Sequence, residues 1–212
     1  MIKGTVFLLG KCMELLSEID DSTVRLFSQM IIRMCRGTIQ ELNIEVNASI
    51  DEIKEILNNQ TSQVIQNCLV IGMKSYNPTL DNQHLASIGY KLGYLFQLLN
   101  DCEAYLNPEF TLKYKGNYNF DINKSRKNLC YVYLEHFLSR KEKIELQNNR
   151  KTNLERLLNK YNVLKHIKNE ISLIELDIDK QLDILGKTFS TGRLNHFIDY
   201  SIELAKSRAG FH

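Results

Sequence analysis

Helix-breaking residues are scarce in this sequence, and this scarcity limits more than any other feature how the chain can fold. Its 212 residues include only 10 glycines and 2 prolines. Proline removes a backbone donor and glycine costs about 1 kcal/mol inside a helix, so their rarity favours long helices. Apolar residues recur at helical spacing along nearly every segment. The sequence therefore predicts an all-α fold, in which residues 1–212 form a single helical bundle.

Capping and turn signals set the expected helix boundaries in the first half of the chain. The first two helices are expected over residues 2–19 and 24–42, on either side of an acidic turn. Ser49 and Glu52 fit a capping box, which opens a helix reaching to about residue 75. A long helix centred on Gly93 follows; it is apolar along much of its length and ends at about residue 106.

The second half of the chain contains one stretch of different composition. Residues 109–123 are polar and aromatic, and we interpret them as an ordered loop over a site, although without other context a plain surface connector is favoured. Helices are expected again from about residue 125, with breaks near 139–140, 161–162 and 186–192. The highly charged stretch 140–160 is interpreted as an exposed helix or a flap.

Charge and cysteine content narrow the classes of function. Lys and Arg total 27 against 25 Asp and Glu, which gives a net charge of +2. This excludes nucleic-acid binding through overall charge, and no nucleic-acid partner is expected. Five widely spaced cysteines include no Cys-x-x-Cys pair, which favours reduced thiols and a cytoplasmic location. The apolar stretch near the start is too short to span a bilayer, and a signal peptide is not expected.

The residues that carry chemistry lie in the window 89–105. Gly89 and Gly93 leave a notch on one helix face, which permits the close approach of another helix or of a ligand. A cluster of polar side chains follows one to three turns later: Gln97, Asn100, Asp101 and Glu103. Oxygen ligands at helical spacing suit Mg²⁺ that bridges to phosphates. On periodicity alone, however, the acidic residues would only solvate the end of the helix.

This window and two others resemble one protein family. The string G-x-x-x-G-x-x-F-Q-x-x-N-D resembles the second aspartate-rich motif of trans-polyprenyl diphosphate synthases, G-x-x-x-G-x-x-F-Q-x-x-D-D-x-x-D. Residues 121–129 resemble the family's D-I-x-x-x-K-x-(T/S)-L, and residues 121–134 are similar to the prenyltransferases that modify bacterial competence pheromones. Upstream, residues 37–41 and 57–61 stand where the family has its G-Q-x-x-D and its Lys-Thr pair.

The resemblance implies an isoprenoid-synthase bundle around a deep apolar cavity, where Mg²⁺ and basic side chains bind an allylic diphosphate. It assigns Gln97 and Asp101 to the catalytic positions, with Gln97 hydrogen-bonding near the diphosphate. It assigns the metal to three side chains: Asn100, Asp101 and Glu103. It assigns the substrate diphosphate to four others: Thr61, Lys115, Lys124 and Arg126. It also places the helices over 2–19 and 24–42 at the family's dimer interface.

The sequence departs from the family pattern at several positions. The first aspartate-rich motif, D-D-x-x-D, is missing, and the chain is expected to lack the family's N-terminal helices. In the second motif Asn100 and Ala104 replace aspartates, and upstream Gln60 replaces a diphosphate-binding lysine. These changes remove electrostatic stabilisation of the transition state, which is usually the largest single contribution to catalysis. Whether the chain is an enzyme therefore stays open at this point.

Three functions are compatible with these features. The first is a prenyltransferase-family protein that binds isoprenyl diphosphates with Mg²⁺ and is incomplete alone. The second is a non-catalytic small subunit of a heteromeric polyprenyl diphosphate synthase, with a full-length synthase as its partner. The third is a degenerate helical interaction module. A homodimer or heterodimer is expected for the first two.

Overall fold

The structure is a computed structural model that describes residues 2–44, 48–77, 83–107, 113, 129–148, 150–187 and 190–211. Regular structure in these residues is helical throughout, and the elements in chain order are α1 (Ile2–Ser17), α2 (Asp21–Leu42), α3 (Ile50–Leu57), the π-helical segment π1 (Asn58–Ser62), α4 (Gln63–Tyr76), α5 (Gln83–Leu106), α6 (Leu129–Phe137), α7 (Arg140–Asn148), α8 (Arg150–Lys160), α9 (Val163–Gly186) and α10 (Gly192–Ala209). The predicted all-α fold is confirmed. None of these helices combines the length and the apolar character needed to cross a bilayer.

Most of the predicted helix boundaries agree with the structure. Asp20 caps α2 by accepting a hydrogen bond from the backbone N–H of Thr23 at 2.7 Å. The capping box at the start of α3 is present, with Glu52 accepting from the backbone N–H of Ser49 at 2.7 Å. The helix expected to continue unbroken to residue 75 is instead interrupted by π1. The predicted loop over 109–123 lies outside the described residues, apart from Lys113.

Helix α5 lies at the centre of the hydrophobic core. It packs against α4, π1, α9 and α10. Five of its apolar side chains are at most 1% exposed: Ile88, Leu92, Leu95, Leu98 and Leu99. Helix α2 packs across π1 and α4, and α6 packs against α3 and α9. The expectation of one long, largely apolar helix is therefore met by α5.

The charged stretch 140–160 was expected to be an exposed helix or a flap; its described residues are helical, and they pack against the bundle instead of forming a flap. The stretch forms α7 and α8, which pack against each other, and α8 also packs against α9. Leu146, Leu154 and Leu157 are at most 2% exposed. Leu154 and Leu157 lie at helical spacing and turn one face of α8 to the core, and Leu146 anchors α7, while most of the described charged side chains stay exposed.

A half-buried carboxylate on α9, that of Glu170, joins four helices. Lys54 of α3 and Tyr94 of α5 each donate a hydrogen bond to its Oε1 at 3.0 Å, and Tyr133 of α6 donates to its Oε2. Burial alone would raise the pKa of Glu170. The hydrogen bonds from Tyr133 and Lys54, together with the Lys54 charge, outweigh burial and hold that pKa below its ordinary value. The ionised carboxylate of Glu170 therefore helps to hold α3, α5, α6 and α9 together.

Close backbone contact fixes α5 against π1 and α4. A methyl group added at Gly93 would lie 2.6 Å from the Cα of Ser62, and one added at Gly89 would lie 2.6 Å from the Cα of Gln66. Both contacts are with backbone atoms, so no change of side-chain rotamer would relieve them. The notch predicted from these two glycines therefore holds a neighbouring helical segment.

Replacing Gly93 with alanine is expected to lower the free energy of unfolding by about 1–3 kcal/mol, because the new Cβ must push α5 away from Ser62. Gly72→Ala is the matched control, since Gly72 lies inside α4 with nothing within 4 Å of an added Cβ. Helix propensity predicts that the control raises the free energy of unfolding by up to about 1 kcal/mol. Urea unfolding measures both, and a stabilising Gly93→Ala would contradict the close packing.

Candidate functional site

The segment π1 shapes one wall of the candidate site. The backbone N–H of Gln63 donates to the carbonyl of Asn58, five residues earlier, where an α-helix would pair residues four apart. Ser62 is fully buried in the contact with Gly93. The π-helical turn of π1 therefore packs directly against the middle of α5.

The two upstream segments that resemble family motifs lie side by side. Gln40 of α2 accepts a hydrogen bond from the Asn59 side chain at 3.2 Å, and Glu41 accepts one from the Gln60 amide at 2.7 Å. A Cβ added at Gly37 would lie 2.8 Å from Cγ of Gln60, so α2 also approaches π1 closely. The Gln60 amide thus holds α2 against π1.

Three of the predicted site residues form a chain of hydrogen bonds. The Thr61 hydroxyl donates to Oε1 of Gln97 at 3.1 Å, and the Gln97 amide donates to Oδ1 of Asp101 at 2.9 Å. The other carboxylate oxygen of Asp101 accepts the backbone N–H of Leu129 at 2.9 Å. The chain links π1 through α5 to the first residue of α6.

The carboxylate of Asp101 caps a helix from another part of the chain. The residue is only 8% exposed. The N–H of Leu129 is one of the donors that a helix leaves unpaired at its N-terminus, and a negative charge there is favourable to the helix dipole. Asp101 therefore fixes the position of the first residue of α6.

A cavity of about 440 Å³ opens between α5 and α10, and Thr61 of π1 stands at its edge. Its apolar lining consists of Phe96, Leu99, Leu204 and Ala205. Its polar lining consists of Thr61, Gln97, Asn100, Glu103, Ser201 and Arg208. The cavity thus offers apolar surface beside a group of hydrogen-bonding and charged side chains.

The three predicted magnesium ligands do not all line the cavity. Asn100 is exposed and lines the cavity, whereas Asp101 faces α6. Glu103 is 3% exposed, and its Oε2 lies 3.9 Å from Nη2 of Arg208 on α10. Among the described residues, no three His, Cys, Asp or Glu side chains come together as a metal site.

The cavity lining includes oxygen donors of the kind that Mg²⁺ prefers. Asn100 and Glu103 offer an amide oxygen and a carboxylate, and Mg²⁺ is commonly held by one or two carboxylates together with substrate phosphates and water. This donor set fits a magnesium ion that takes most of its ligands from the substrate and from water. It does not form an all-protein cage.

The predicted diphosphate ligands Lys115, Lys124 and Arg126 lie outside the described residues, and their roles stay predictions. So do the catalytic roles of Gln97 and Asp101. Arg208 lines the cavity although no motif in the sequence marks it. It follows the Gln97–Glu103 cluster by more than 100 residues in sequence, and its only signal is a basic side chain in the last turn of α10.

The seam between α5 and α6 also contains a pair of thiols. Sγ of Cys102 and Sγ of Cys130 are 3.3 Å apart, both residues are buried, and all five cysteines are free thiols. Burial, with the neighbouring Cys102 and Asp101, raises the pKa of the Cys130 thiol well above its ordinary value. This thiol therefore stays protonated and acts as a small apolar side chain.

The sequence model of the polyprenyl synthetase family matches residues 2–167. The chain belongs to the polyprenyl synthetase family. No curated protein matches it.

Solved structures share its fold at low sequence identity. Octaprenyl pyrophosphate synthase from Helicobacter pylori has a TM-score of 0.74 and 18% identity, covering 95% of this chain and 64% of that one. The geranylgeranyl pyrophosphate synthetase from Geoglobus acetivorans has a TM-score of 0.64 and 16% identity, covering 94% and 62%. The one from Pyrococcus horikoshii has a TM-score of 0.63 and 17% identity, covering 89% and 59%. The chain thus spans less than two thirds of these synthases, and the expected isoprenoid-synthase fold is confirmed.

Replacing Asp101 with alanine is expected to lower the free energy of unfolding by about 1–3 kcal/mol, because it leaves the buried N–H of Leu129 without its acceptor. Asp177→Ala is the control. Its ion pair with Lys91, at 2.9 Å, is partly exposed and is expected to contribute about 0–1 kcal/mol. Urea unfolding is measured in EDTA and again in Mg²⁺. If Asp101 acts as a helix cap, the free energy of unfolding falls equally in EDTA and in Mg²⁺. A fall seen only in Mg²⁺ would contradict this role.

Proposed function

We propose that this chain binds an isoprenyl diphosphate with Mg²⁺ in the cavity between α5 and α10, and that it completes prenyl transfer only together with a second chain. The observation that carries this proposal is the mixed lining of the cavity. Leu99, Leu204 and Phe96 offer an apolar surface, and Asn100 and Arg208 stand beside it. A prenyl diphosphate has the same division, with an apolar tail and an anionic head.

Each side chain has a proposed role in this site. The apolar residues exclude water from the prenyl tail, which is favourable in proportion to the apolar surface buried. Arg208 binds the diphosphate, since a guanidinium matches phosphate oxygens with paired donors. Asn100 and Glu103 hold the magnesium ion, which neutralises charge on the diphosphate. The bond from Thr61 fixes the Gln97 amide at the cavity wall.

The charge of the described lining supports the proposal that a second chain takes part. One guanidinium, that of Arg208, faces one carboxylate, that of Glu103, so the two charges nearly cancel. Departure of a diphosphate needs strong stabilisation of negative charge in the transition state. The described residues therefore supply binding more readily than full catalysis. The related structures are named as synthases of prenyl pyrophosphates, which supports the substrate class.

A non-catalytic subunit is the second candidate function, and the surface of α1 supports the association with another chain that it needs. Helix α1 packs against α2. Its apolar side chains are nevertheless between 41% and 64% exposed at five positions: Val6, Phe7, Leu8, Met13 and Leu15. On α2, Ile32 is 53% and Ile39 is 59% exposed. Apolar surface of this extent marks an interaction site. We propose a dimer through α1 and α2, with an identical chain or a full-length synthase.

Calorimetric titration with farnesyl diphosphate tests the binding proposal. We expect farnesyl diphosphate to bind in Mg²⁺ and to bind much more weakly in EDTA. We expect no binding of farnesol, which lacks the diphosphate. Leu204→Trp fills the cavity and is expected to weaken binding at least about 10-fold. Leu173→Trp, at an exposed position on α9, is the matched control and leaves binding unchanged. Farnesol binding as tight as farnesyl diphosphate would contradict the proposal.

A prenyl-transfer assay with the same protein tests whether the chain is active alone. It is incubated with Mg²⁺, labelled isopentenyl diphosphate and farnesyl or geranyl diphosphate. The chain alone is expected to show no prenyl transfer while it still binds substrate. Robust turnover by the isolated chain, lost in Asp101→Ala, would overturn the requirement for a second chain.

The oligomer proposal is tested at α1. The double variant Leu8→Glu with Leu15→Glu places two charges on one face of the helix and is expected to convert a dimer to monomer in light scattering. Leu173→Glu with Leu176→Glu, two exposed leucines of α9, is the matched control and leaves the molar mass unchanged. A wild-type chain that is monomeric and shows no association with a full-length synthase would contradict the dimer.

A further inference from the structure

Positive charge is concentrated in one short part of the chain. Residues 140–168 contain 9 Lys and Arg against 3 Asp and Glu, which gives this stretch a net charge of +6. The rest of the chain has 18 Lys and Arg against 22 Asp and Glu, a net charge of −4. Attraction to an anionic partner is therefore local to the stretch that forms α7, α8 and the start of α9.

The acidic residues of this stretch do not offset the charge at the surface of α7. Glu142 is only 8% exposed and accepts a hydrogen bond from Lys160 at 2.6 Å. Glu145 forms an ion pair with Arg156 of α8 at 3.2 Å. Glu155 is exposed, but it lies on α8. The outer surface of α7 thus keeps its positive charge.

The outward side of α7 carries three cations around one apolar side chain, and we call these four exposed residues the basic face: Arg140, Lys141, Lys143 and Ile144. Ile144 follows Arg140 by four positions and Lys141 by three, so both cations lie next to it on the helix. Ile144 is 51% exposed, whereas Leu146 on the inward side is buried. Within the described part of the chain, none of the three cations forms an ion pair.

Two of these cations stand at the end of α7 where a cation is unfavourable. Ser139 and Glu142 hydrogen-bond each other's backbone N–H groups at the start of the helix, so Arg140 and Lys141 are its first two residues. The helix dipole places partial positive charge at this end and disfavours both side chains. Helix α8 likewise begins with two basic residues. A placement that the fold itself disfavours indicates a use outside the fold.

The aromatic side chains beside α7 favour a lipid surface over a nucleic acid. Phe137, at the end of α6, is stacked against Tyr161 and His166, with ring centroids 5.9 Å and 5.4 Å away. Proteins that bind single-stranded nucleic acids offer aromatic rings on which bases stack, but this ring is already stacked on protein side chains. A bilayer instead has an apolar layer directly below its charged headgroups, which suits an isoleucine surrounded by cations.

We propose that the basic face docks on an anionic lipid bilayer. Its cations contact the anionic headgroups, and Ile144 enters the boundary between headgroups and acyl chains. Electrostatic attraction and burial of apolar surface act together in this contact. The proposal assigns an interaction surface that is separate from the cavity between α5 and α10, and it does not depend on diphosphate binding.

Cosedimentation of the full chain with lipid vesicles tests the proposal. The wild type is expected to bind vesicles of phosphatidylcholine with phosphatidylserine, to bind pure phosphatidylcholine much more weakly, and to lose affinity as salt is added. Lys141→Glu with Lys143→Glu is expected to weaken binding by about 10- to 100-fold, because each cation near an anionic surface contributes roughly fivefold. Lys141→Gln with Lys143→Gln, which removes the charges without reversing them, is expected to weaken binding less.

The matched control for charge is Lys180→Glu with Lys187→Glu. Both lysines are exposed, and they lie toward the other end of α9 and just after it. The control changes the net charge by the same amount as the reversal on α7, and it is expected to bind vesicles like the wild type. An equal loss of affinity in the control would overturn the assignment to the basic face.

Ile144→Ser separates docking into the bilayer from a purely electrostatic contact. It is expected to weaken binding to anionic vesicles by about 3- to 10-fold at every salt concentration, because the apolar contribution is lost. Leu173→Ser, at an exposed position on α9, is the control and is expected to leave binding unchanged. Thermal unfolding shows that each variant is folded before its affinity is compared.

Three results would contradict the proposal. The first is a wild type that does not bind anionic vesicles, and the second is unchanged binding by Lys141→Glu with Lys143→Glu. The third is a short nucleic acid that binds the wild type more tightly than the vesicles do and requires the same two lysines. Unchanged affinity of Ile144→Ser would overturn the entry of this side chain into the bilayer.

Discussion

Backbone contact between α5 and π1 is the constraint on which the rest of the site depends. Because Gly93 has no side chain, Ser62 lies directly against it. The neighbouring Thr61 is thereby brought within hydrogen-bonding reach of Gln97, one helical turn further along α5. From there α5 turns Asp101 toward α6 and Glu103 toward α10. The positions of the polar groups are thus consequences of helix packing, and the cavity takes its shape from the same contact.

Two residues in segments that resemble the family motifs serve the packing of this chain. Gln60, which stands at the position of a family lysine, hydrogen-bonds Glu41 and holds α2 against π1. Asp101, the aspartate retained in the eroded motif, caps α6. Side chains at positions that the resemblance assigns to substrate and metal therefore hold helices together. Among the described residues that line the cavity, the charged ones are Arg208 and Glu103.

Local signals in the sequence predicted most of the fold and part of the site. The capping box at Ser49 and the broken spacing near 139–140 are local in sequence, so helix boundaries could be read from them. The segment π1 could not be predicted, because its apolar spacing differs little from that of an α-helix. Arg208 could not be found either, since its contact with Glu103 depends on how α10 ends against α5. Helical spacing placed Gln97 and Asp101 on a common face of α5, but it does not predict which helix packs against that face.

The π-helical turn has a consequence for how this site can vary. Deleting or inserting one residue within α4 would rotate every later side chain of that helix by about 100°, and its core face would be lost. Within π1, by contrast, loss of one residue would restore ordinary α-helical pairing and leave the faces of α3 and α4 in phase. Thr61 would then shift away from Gln97 while the bundle kept its packing. Among the described helices, π1 is therefore a place where a change in chain length can alter the cavity wall while α3 and α4 keep their phase.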